Sequence, residues 1–521
     1  MSQEISALNR RAFMGGTLGV AAALSQTALA QPAAPPAPGT APPADLPPLL
    51  RTDNPLYRLE ADVRDCEVEG TVPSDLRGAF YRVGPDPQYP LAPGNIPFDG
   101  EGHASMFRIK DGRVDYRSRY IRNERWLAQD KARRSLFPMY RNPSLDHPSV
   151  KGLSRSTANT HIINHRNLLL ALKEDSPPTA LDLLTLETRV ANYTFDGRLP
   201  SLTFTAHPKV DSVTGNIVAF GYEAEGHGSD VVSVFEITPS GEIVWNAKVR
   251  VPYVGSLHDF AVTENYIAFF LQPVTFDEAQ MARGGIHWSW DATKPSYFGY
   301  LRRGGDGSDL RWIEGPARGM YHVMGAFDDG RRVYVDMPLA VGNQLPFIPY
   351  RDGSRWNPAV AMSNVTRVSA DLTARRPKSY AAEVLYPLVG DLPRQDDRYN
   401  TMPYRYGFQP VADPAAAPGA GGACYARFDH QTRKAQLFKA GTATSLAECC
   451  FAPKHADARE GEGYLLGVAT RHDRGGATEL LILDAERVEE GPIATVKLPM
   501  PVVGQVHGFW VPEAKLSAPA A

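Results

Sequence analysis

Four short stretches, each with one histidine, determine how this chain folds. They are Thr205-Ala206-His207-Pro208-Lys209, Leu257-His258-Asp259-Phe260, Tyr321-His322-Val323-Met324 and Val506-His507-Gly508-Phe509-Trp510. In the first three, a turn-forming Gly or Asn follows the histidine by seven or eight residues, and an apolar β-rich run follows the turn. A hairpin that recurs with a histidine at the same place is a repeat, and repeated sheet units predict a β-propeller.

The spacing of these histidines supports the same interpretation. His258 follows His207 by 51 residues, His322 follows His258 by 64, and His507 follows His322 by 185, close to three such intervals. The inner strands of propeller blades crowd around one axis, so histidines at equivalent positions are expected to converge. Four neutral imidazoles suit a borderline divalent metal such as Fe, Zn, Cu or Ni. The alternative is four ordinary core histidines with satisfied hydrogen bonds.

Composition favours a large β protein and excludes several classes of function. The chain has 521 residues, of which 43% are hydrophobic, with 45 Gly and 44 Pro, and this content is typical of many turns rather than long helices. The net charge of −3 gives no indication of nucleic-acid binding. Cys66, Cys424, Cys449 and Cys450 form no CxxC pair, so buried thiols are expected rather than a disulfide framework.

The first thirty residues are typical of an export signal. Asn9-Arg10-Arg11-Ala12-Phe13-Met14 precedes an uncharged run, 15–29, which ends at the small-residue site Ala28-Leu29-Ala30. A twin-arginine pair with this layout predicts a Tat signal peptide over 1–30 and delivery to the periplasm by the Tat machinery, rather than secretion. An uncleaved anchor is the alternative. Residues 31–47, rich in Pro and Ala, are expected to be a disordered linker, and 48–515 a single propeller domain without a membrane span.

Other segments refine this architecture. The irregular stretches 126–150 and 273–296 are too long for blade turns and are expected to be helical or looped insertions above one face of the propeller. Residues 411–423 are expected to form a surface loop. His161 and His165 have the spacing of a helical zinc pair, but a turn between two β segments explains them better. No G-x-S-x-G elbow, P-loop or dinucleotide fingerprint occurs.

Several further stretches resemble the carotenoid cleavage oxygenase family, which includes the lignostilbene dioxygenases. They are Gly78-Ala79-Phe80-Tyr81-Arg82-Val83-Gly84-Pro85, Phe98-Asp99-Gly100-Glu101-Gly102, Tyr116-Arg117-Ser118-Arg119-Tyr120-Ile121-Arg122, Leu170-Ala171-Leu172-Lys173-Glu174, Tyr404-Arg405-Tyr406-Gly407 and the histidine stretches. The resemblance covers residues 50–512. It implies a seven-bladed propeller with a small helical or looped dome over the metal, and one Fe(II) per chain held by His207, His258, His322 and His507.

The resemblance also implies three carboxylates that orient the histidines. A metal-binding imidazole needs an acceptor for its second nitrogen, and Glu174, Asp391 and Glu448 stand at the matching positions. Asp391 replaces the glutamate of the family pattern. It is one methylene shorter, so its bond to a histidine is expected to run through water or to need a local backbone adjustment.

The implied chemistry is O2-dependent cleavage of a conjugated C=C bond into two carbonyl products, with no further catalytic side chain. Two other classes stay open: a zinc-dependent hydrolase or lyase, and a non-catalytic propeller. For the substrate we favour a lignin-derived phenolic stilbene or arylalkene over a carotenoid or apocarotenoid, because the inserted segments 128–134 and 277–283 are polar. The candidate substrate contacts are Arg125, Trp126, Lys131, Phe137, Tyr140, Trp288 and Trp290, with Arg125 and Lys131 expected to bind a phenol.

Overall fold

The β-rich segments form antiparallel strands arranged as the seven blades of a propeller in the computed structural model, which describes residues 56–375, 377–416 and 422–516. The predicted fold class is therefore confirmed. The signal peptide predicted over 1–30 and the linker predicted over 31–47 lie outside the described residues.

The strands are distributed over the blades in chain order, apart from the two that come first. The first five are β1 Ala61–Val63, β2 Glu67–Gly70, β3 Gly78–Pro85, β4 Gly102–Lys110 and β5 Arg113–Tyr120. Two complete blades follow, with β6 His161–His165, β7 Leu168–Leu172, β8 Thr179–Asp182 and β9 Thr188–Val190, then β10 Lys209–Val210, β11 Ile217–Gly221, β12 Val231–Ile237 and β13 Ile243–Arg250.

The next two blades carry insertions between their strands. One has β14 Phe260–Val262, β15 Tyr266–Leu271, β18 Ser296–Arg302 and β19 Arg311–Gly315, interrupted by the separate hairpin β16 Val274–Phe276 and β17 Trp288–Trp290. The other has β20 Gly325–Asp328, β21 Arg332–Ala340, β22 Ser363–Asp371 and β23 Ala381–Val389.

The remaining strands complete the ring. They are β24 Arg394–Gln395, β25 Tyr406–Ala412, β26 Ala423–Asp429 and β27 Lys434–Lys439, then β28 Thr444–Pro453, β29 Gly463–Arg471, β30 Ala477–Asp484 and β31 Pro492–Lys497, and finally β32 His507–Pro512. β2 pairs with β31, and β32 joins β3, β4, β5 and β1. Because β32 pairs with β3 from Val83↔His507 to Gly78↔Pro512, the two ends of the chain close the ring.

The burial pattern of the side chains depends on the position of each strand in its blade. The middle strands β12 and β15 are buried on both faces, because neighbouring blades pack against each of them, and they are accordingly continuous apolar runs. The outer strand β13 alternates between exposed and buried positions, as expected for a strand with one face in solvent. All four cysteines are buried and unpaired, as the sequence predicted.

Three insertions cover the face of the propeller on which the histidines lie, and we call them the dome: 124–150, 274–290 and 341–362. The helices of the described chain are short: α1 Glu124–Ala132, α2 Glu278–Ala282, α3 Pro358–Ala361 and α4 Glu513–Leu516, with 3-10 turns at Pro97–Asp99, Pro143–Leu145, Pro148–Val150, Asp397–Tyr399, His472–Arg474 and Val488–Glu490. The second insertion was expected to be helical or looped, but it is a strand–helix–strand hairpin. The third was not predicted.

Hydrogen bonds join the dome segments to one another. The amide nitrogen of Asn142 donates to the carbonyls of Met281 (2.9 Å) and Gly285 (2.8 Å), and the backbone N–H of Trp290 donates to the carbonyl of Pro349 (2.8 Å). Within the described ranges, no helix is long and apolar enough to cross a bilayer. The predicted surface loop lies between β25 and β26, and its residues 417–421 are outside the described ranges.

Candidate metal centre

Four histidines from four different blades meet on the propeller axis. His207, His258 and His322 stand just before the innermost strands β10, β14 and β20, and His507 is the first residue of β32. One nitrogen from each lies within 4.8 Å of the corresponding nitrogens of the other three. The Nε2 atoms of His207 and His258 are 3.1 Å apart. Histidines at equivalent positions of the repeated hairpin thus converge on one site in the structure.

Two further histidines belong to an inner strand but stay outside this cluster. His161 begins β6, and its ring centre is 5.2 Å from that of His507, but its Nδ1 is 2.9 Å from the carbonyl oxygen of Ala206. His165 ends the same strand and packs against Phe195. The structure places both on a β hairpin rather than on a helix, so they do not form the i,i+4 pair that their spacing would otherwise suggest.

Three carboxylates approach the outer nitrogens of three of these histidines. Glu174 contacts Nδ1 of His258, Oδ1 of Asp391 lies 2.9 Å from Nδ1 of His322, and Oε1 of Glu448 lies 2.8 Å from Nδ1 of His507. The Asp391 contact is direct, and no bridging water is needed. The following residue, Leu392, has a left-handed φ of 60°.

The geometry of these pairs leaves metal-binding lone pairs at the centre. A carboxylate at Nδ1 accepts the ring N–H, so Nε2 carries the free lone pair. Within the described part of the chain, Nε2 of His322 and Nε2 of His507 are buried without a hydrogen-bond partner. Burial and the neighbouring imidazoles lower the pKa of His207 and His507 well below the ordinary value, which keeps both neutral. The donor set therefore fits a divalent transition metal, including iron.

Among the described residues, no carboxylate lies within hydrogen-bond distance of the ring of the fourth histidine, His207. Oδ2 of Asp259 is 4.0 Å from its Nδ1. That carboxylate is already used by Lys209, whose Nζ lies 2.7 Å from Oδ1, and by the backbone N–H of Val323, 2.8 Å from Oδ2. The four histidines thus fall into three with a direct carboxylate contact and one without.

A cavity lies between the histidines and the dome. Its wall is largely apolar and is formed by Ile96, Phe98, Tyr140, Thr160, Lys173, Glu174, Ser256, His258, Val274, Trp288, Tyr321, His322, Leu345, Phe347, Ile348, Asp391, Leu392 and Val506. An apolar cavity with a few polar groups beside a metal centre is a typical site for a small hydrophobic substrate.

The cavity contains two of the seven side chains that the sequence suggested for substrate binding, Tyr140 and Trp288. Arg125 is instead buried within the dome, where its Nε lies 2.9 Å from Glu101 and its Nη1 lies 3.3 Å from Asp99. Lys131 is exposed in the last turn of α1. Neither cation reaches the cavity, so the expectation that they bind a phenol was wrong.

The other three aromatic candidates also have structural neighbours in place of a substrate. Phe137 is buried with the guanidinium group of Arg125 5.1 Å from its ring centre. Trp126 packs beside Arg122, and Trp290 is buried in the core beside Tyr350. None of the three belongs to the cavity wall.

Lys173 is the cation that the sequence analysis overlooked as a substrate contact. It is buried in the cavity wall, and its Nζ lies 5.2 Å from the ring centre of Tyr140. Its hydrogen-bond acceptors are the carbonyl of Phe98 (3.3 Å) and the amide oxygen of Asn159 (3.4 Å), both long contacts. Burial lowers the pKa of Lys173. Its position next to Glu174 at the end of β7 was the available signal.

Comparisons with known proteins agree with this geometry. Residues 56–512 match the family model described as retinal pigment epithelial membrane protein. Lignostilbene-alpha,beta-dioxygenase isozyme III of Sphingomonas paucimobilis is 37% identical over 472 residues, covering 88% of this chain and 96% of that protein. Carotenoid cleavage oxygenase 1 of Neurospora crassa is 39% identical over 472 residues, which cover 87% of this chain and 88% of that protein.

A solved structure extends the similarity to three dimensions. The crystal structure of Pseudomonas brassicacearum lignostilbene dioxygenase matches this fold with a TM-score of 0.84 at 37% identity, and the match covers 89% of this chain and 97% of that one. The similarity thus extends over almost the whole of the propeller fold.

Proposed function

The chain belongs to the carotenoid oxygenase family of alkene-cleaving oxidoreductases, and we propose that it is an Fe(II)-dependent dioxygenase acting on a phenolic stilbene or a related arylalkene. Four blades would supply the iron ligands His207, His258, His322 and His507. Fe(II) bound by neutral nitrogen ligands activates O2 for the cleavage of an electron-rich C=C bond into two carbonyl products.

The contribution of the protein is to orient its ligands and to position the alkene. Glu174, Asp391 and Glu448 accept hydrogen bonds from the Nδ1–H groups of three ligands. The Nε2 lone pair of each ring is thereby presented to the metal. The apolar wall excludes water from the reacting bond. No acid, base or nucleophile of the chain is needed for the overall reaction, which adds both oxygen atoms to the alkene carbons.

The observation that carries the substrate proposal is the buried pair Lys173 and Tyr140 in an otherwise apolar cavity. A buried amine with two long hydrogen bonds has donor capacity to spare, and a phenol oxygen is a matching acceptor. A hydrocarbon chain against that amine would leave its third N–H without an acceptor, which costs free energy. Trp288 and Phe98 supply aromatic wall surface for the rest of a planar substrate.

The metal assignment is tested by the iron content of purified variants. We expect His322→Ala to lose most of its iron and all alkene cleavage, because it removes one of four ligands. His165→Ala, which removes a buried histidine of β6 outside the cluster, serves as the control and should retain iron. Full iron content in His322→Ala contradicts the proposal. Turnover that continues without O2 would favour a zinc hydrolase or lyase.

The substrate assignment is tested with a 4-hydroxystilbene, its 4-methoxy analogue and an apocarotenal. We expect the phenol to have a kcat/KM about 10- to 100-fold above that of the methyl ether, the range for a hydrogen bond to a charged group. Lys173→Met should remove most of this difference, and Lys131→Met, at the exposed position, should not. Faster turnover of the apocarotenal without any penalty for the methyl ether would reverse the choice.

We further propose that the precursor is exported to the periplasm by the Tat machinery. The support is the sequence alone: Arg10 and Arg11 before an uncharged run, and the small residues of 28–30. Replacing both arginines with lysine is expected to hold the precursor in the cytoplasm, measured by fractionation. An unchanged periplasmic yield would exclude this route.

A further inference from the structure

Glu174 differs from the other two orienting carboxylates in the hydrogen-bond donor that it has besides the histidine. Oδ1 of Asp391 also accepts the backbone N–H of the next residue (2.7 Å), and Oε2 of Glu448 accepts the backbone N–H of Gly508 (2.8 Å). For Glu174 the donor is a side chain, because the hydroxyl of Tyr222 lies 3.0 Å from its Oε2. The position of this carboxylate therefore depends on where one phenol ring is held.

The direction of this hydrogen bond follows from the partner on its other side. Nη1 of Arg141 lies 2.8 Å from the hydroxyl oxygen of Tyr222. Arginine can only donate, so the tyrosine oxygen accepts from it and its one proton is left for Glu174. Burial raises the pKa of Tyr222 well above the ordinary value, which keeps that proton in place. A directed relay thus runs from Arg141 through Tyr222 to Glu174.

Arg141 is itself held firmly. Its Nη2 donates to Oε2 of Glu223, and the same carboxylate lies 2.9 Å from Nε2 of His287 and accepts the backbone N–H of Gly228 at 2.6 Å. Burial alone would raise the pKa of Glu223, but Arg141 and His287 bring it down to about 2, so it stays ionised. Arg141, Glu223 and His287 are all buried, so their hydrogen-bonded arrangement is rigid.

Two residues that hold this relay in place are chain neighbours of residues that line the cavity. Arg141 follows Tyr140, and His287 precedes Trp288, and both aromatic neighbours belong to the cavity wall. The guanidinium carbon of Arg141 lies 5.0 Å from the ring centre of Trp288. The two dome segments that form this wall therefore also hold the hydroxyl that contacts Glu174.

We propose that Tyr222 is a positioning residue of the metal centre, which, held by Arg141 of the dome, fixes Glu174 and through it the orientation and tautomer of His258. This inference rests on the proposed metal function of the four histidines. It adds a specific dependence: docking of the dome sets the geometry of one ligand, whereas the other carboxylates depend on backbone donors.

The test compares cobalt binding to apoprotein in three single variants, with Co(II) as a spectroscopic probe. Tyr222→Phe removes one oxygen atom, and Arg141→Met removes the donor behind it. Tyr81→Phe is the control, because its buried hydroxyl also donates one hydrogen bond, 2.7 Å long, but to the carbonyl of Leu183 away from the metal centre. We measure the Co(II) dissociation constant, the ligand-field absorption and the unfolding midpoint of each protein.

We expect Tyr222→Phe to weaken Co(II) binding about fivefold, the effect of one lost hydrogen bond, and to shift the ligand-field bands. Tyr81→Phe should leave both unchanged even if its unfolding midpoint falls. Because Arg141 acts through Tyr222, adding Arg141→Met to Tyr222→Phe should weaken binding no further. Parental affinity and bands in Tyr222→Phe would overturn the inference. If the parent itself does not bind one Co(II) per chain, the proposed function fails instead.

Discussion

Asp391 holds His322 through one carboxylate oxygen. Its Oδ1 lies 2.9 Å from Nδ1 of the histidine and also accepts the backbone N–H of Leu392, whereas Oδ2 has no hydrogen-bond partner among the described residues. Leu392 itself has a left-handed backbone, with a φ of 60°. The orientation of His322 by this carboxylate therefore rests on one oxygen atom.

At this scale we predict that Asp391→Ala weakens iron affinity about 10- to 100-fold, the usual result of losing an orienting carboxylate. Asp391→Asn should fall between Ala and the parent, because its amide oxygen still accepts the ring N–H but without the negative charge. The measurement is competition for iron with a chelator. Asp396→Asn, which changes a buried carboxylate that binds Arg398, is the control, and equal losses in both variants would contradict this role.

At the scale of the strands, Arg82 connects the strand that carries Glu448 to the strand that carries His507. This fully buried residue of β3 donates to the carbonyls of Glu448 in β28 (2.7 Å), Gln505 (3.0 Å) and Val506 (3.1 Å). Gln505 and Val506 directly precede β32. The Arg82 side chain therefore links β28, which carries Glu448, to β32, which carries His507. Three buried carbonyls depend on it.

We predict that Arg82→Met lowers the free energy of unfolding by about 3 kcal/mol or more, because three buried acceptors lose their donor. The bound iron should fall as well, since Glu448 and His507 lose their alignment. Arg77→Met, which breaks the exposed pair with Asp111, should cost less than about 1 kcal/mol. Urea unfolding measures both, and equal midpoints for the two variants would contradict the role given to Arg82.

Over the whole molecule, burial of histidines makes stability depend on pH. Burial lowers the pKa of His165, His287 and His430 to about 4. In the unfolded chain these rings have a pKa of about 6.5. Between these values the unfolded state binds more protons, so stability is fully present above pH 6.5 and is lost as the pH falls toward 4.

We predict that each such histidine removes about 2 kcal/mol of stability between pH 7.5 and pH 5. His165 is the one to test, because it lies outside the metal cluster and the contribution of iron cancels in the comparison. His165→Gln cannot titrate and should lose about that much less than the parent over this interval. Parallel stability curves for the two proteins would show that His165 is accessible to protons in the folded state.

The sequence by itself determined the propeller and the four converging histidines, whereas the three carboxylates followed only from the resemblance to a known family. The first two rest on a pattern that repeats or that lies within a few neighbouring residues, such as the hairpin after His207, His258 and His322. Strand periodicity and turn residues are local properties of the chain, so they can be recognised before any contact is known. The signal peptide predicted at 1–30 is of the same local kind and stays a prediction.

Only the tertiary structure decided which side chains face the substrate. Arg125 and Lys131 look as suitable in the sequence as Lys173, but Arg125 is used by Asp99 and Glu101, and Lys131 faces solvent. Whether a charge is free depends on partners that can be far apart in the chain, as Arg141, Tyr222 and Glu174 are. Pairing of buried charges is settled when blades and dome pack together, because only then is water removed and each polar group must find a partner.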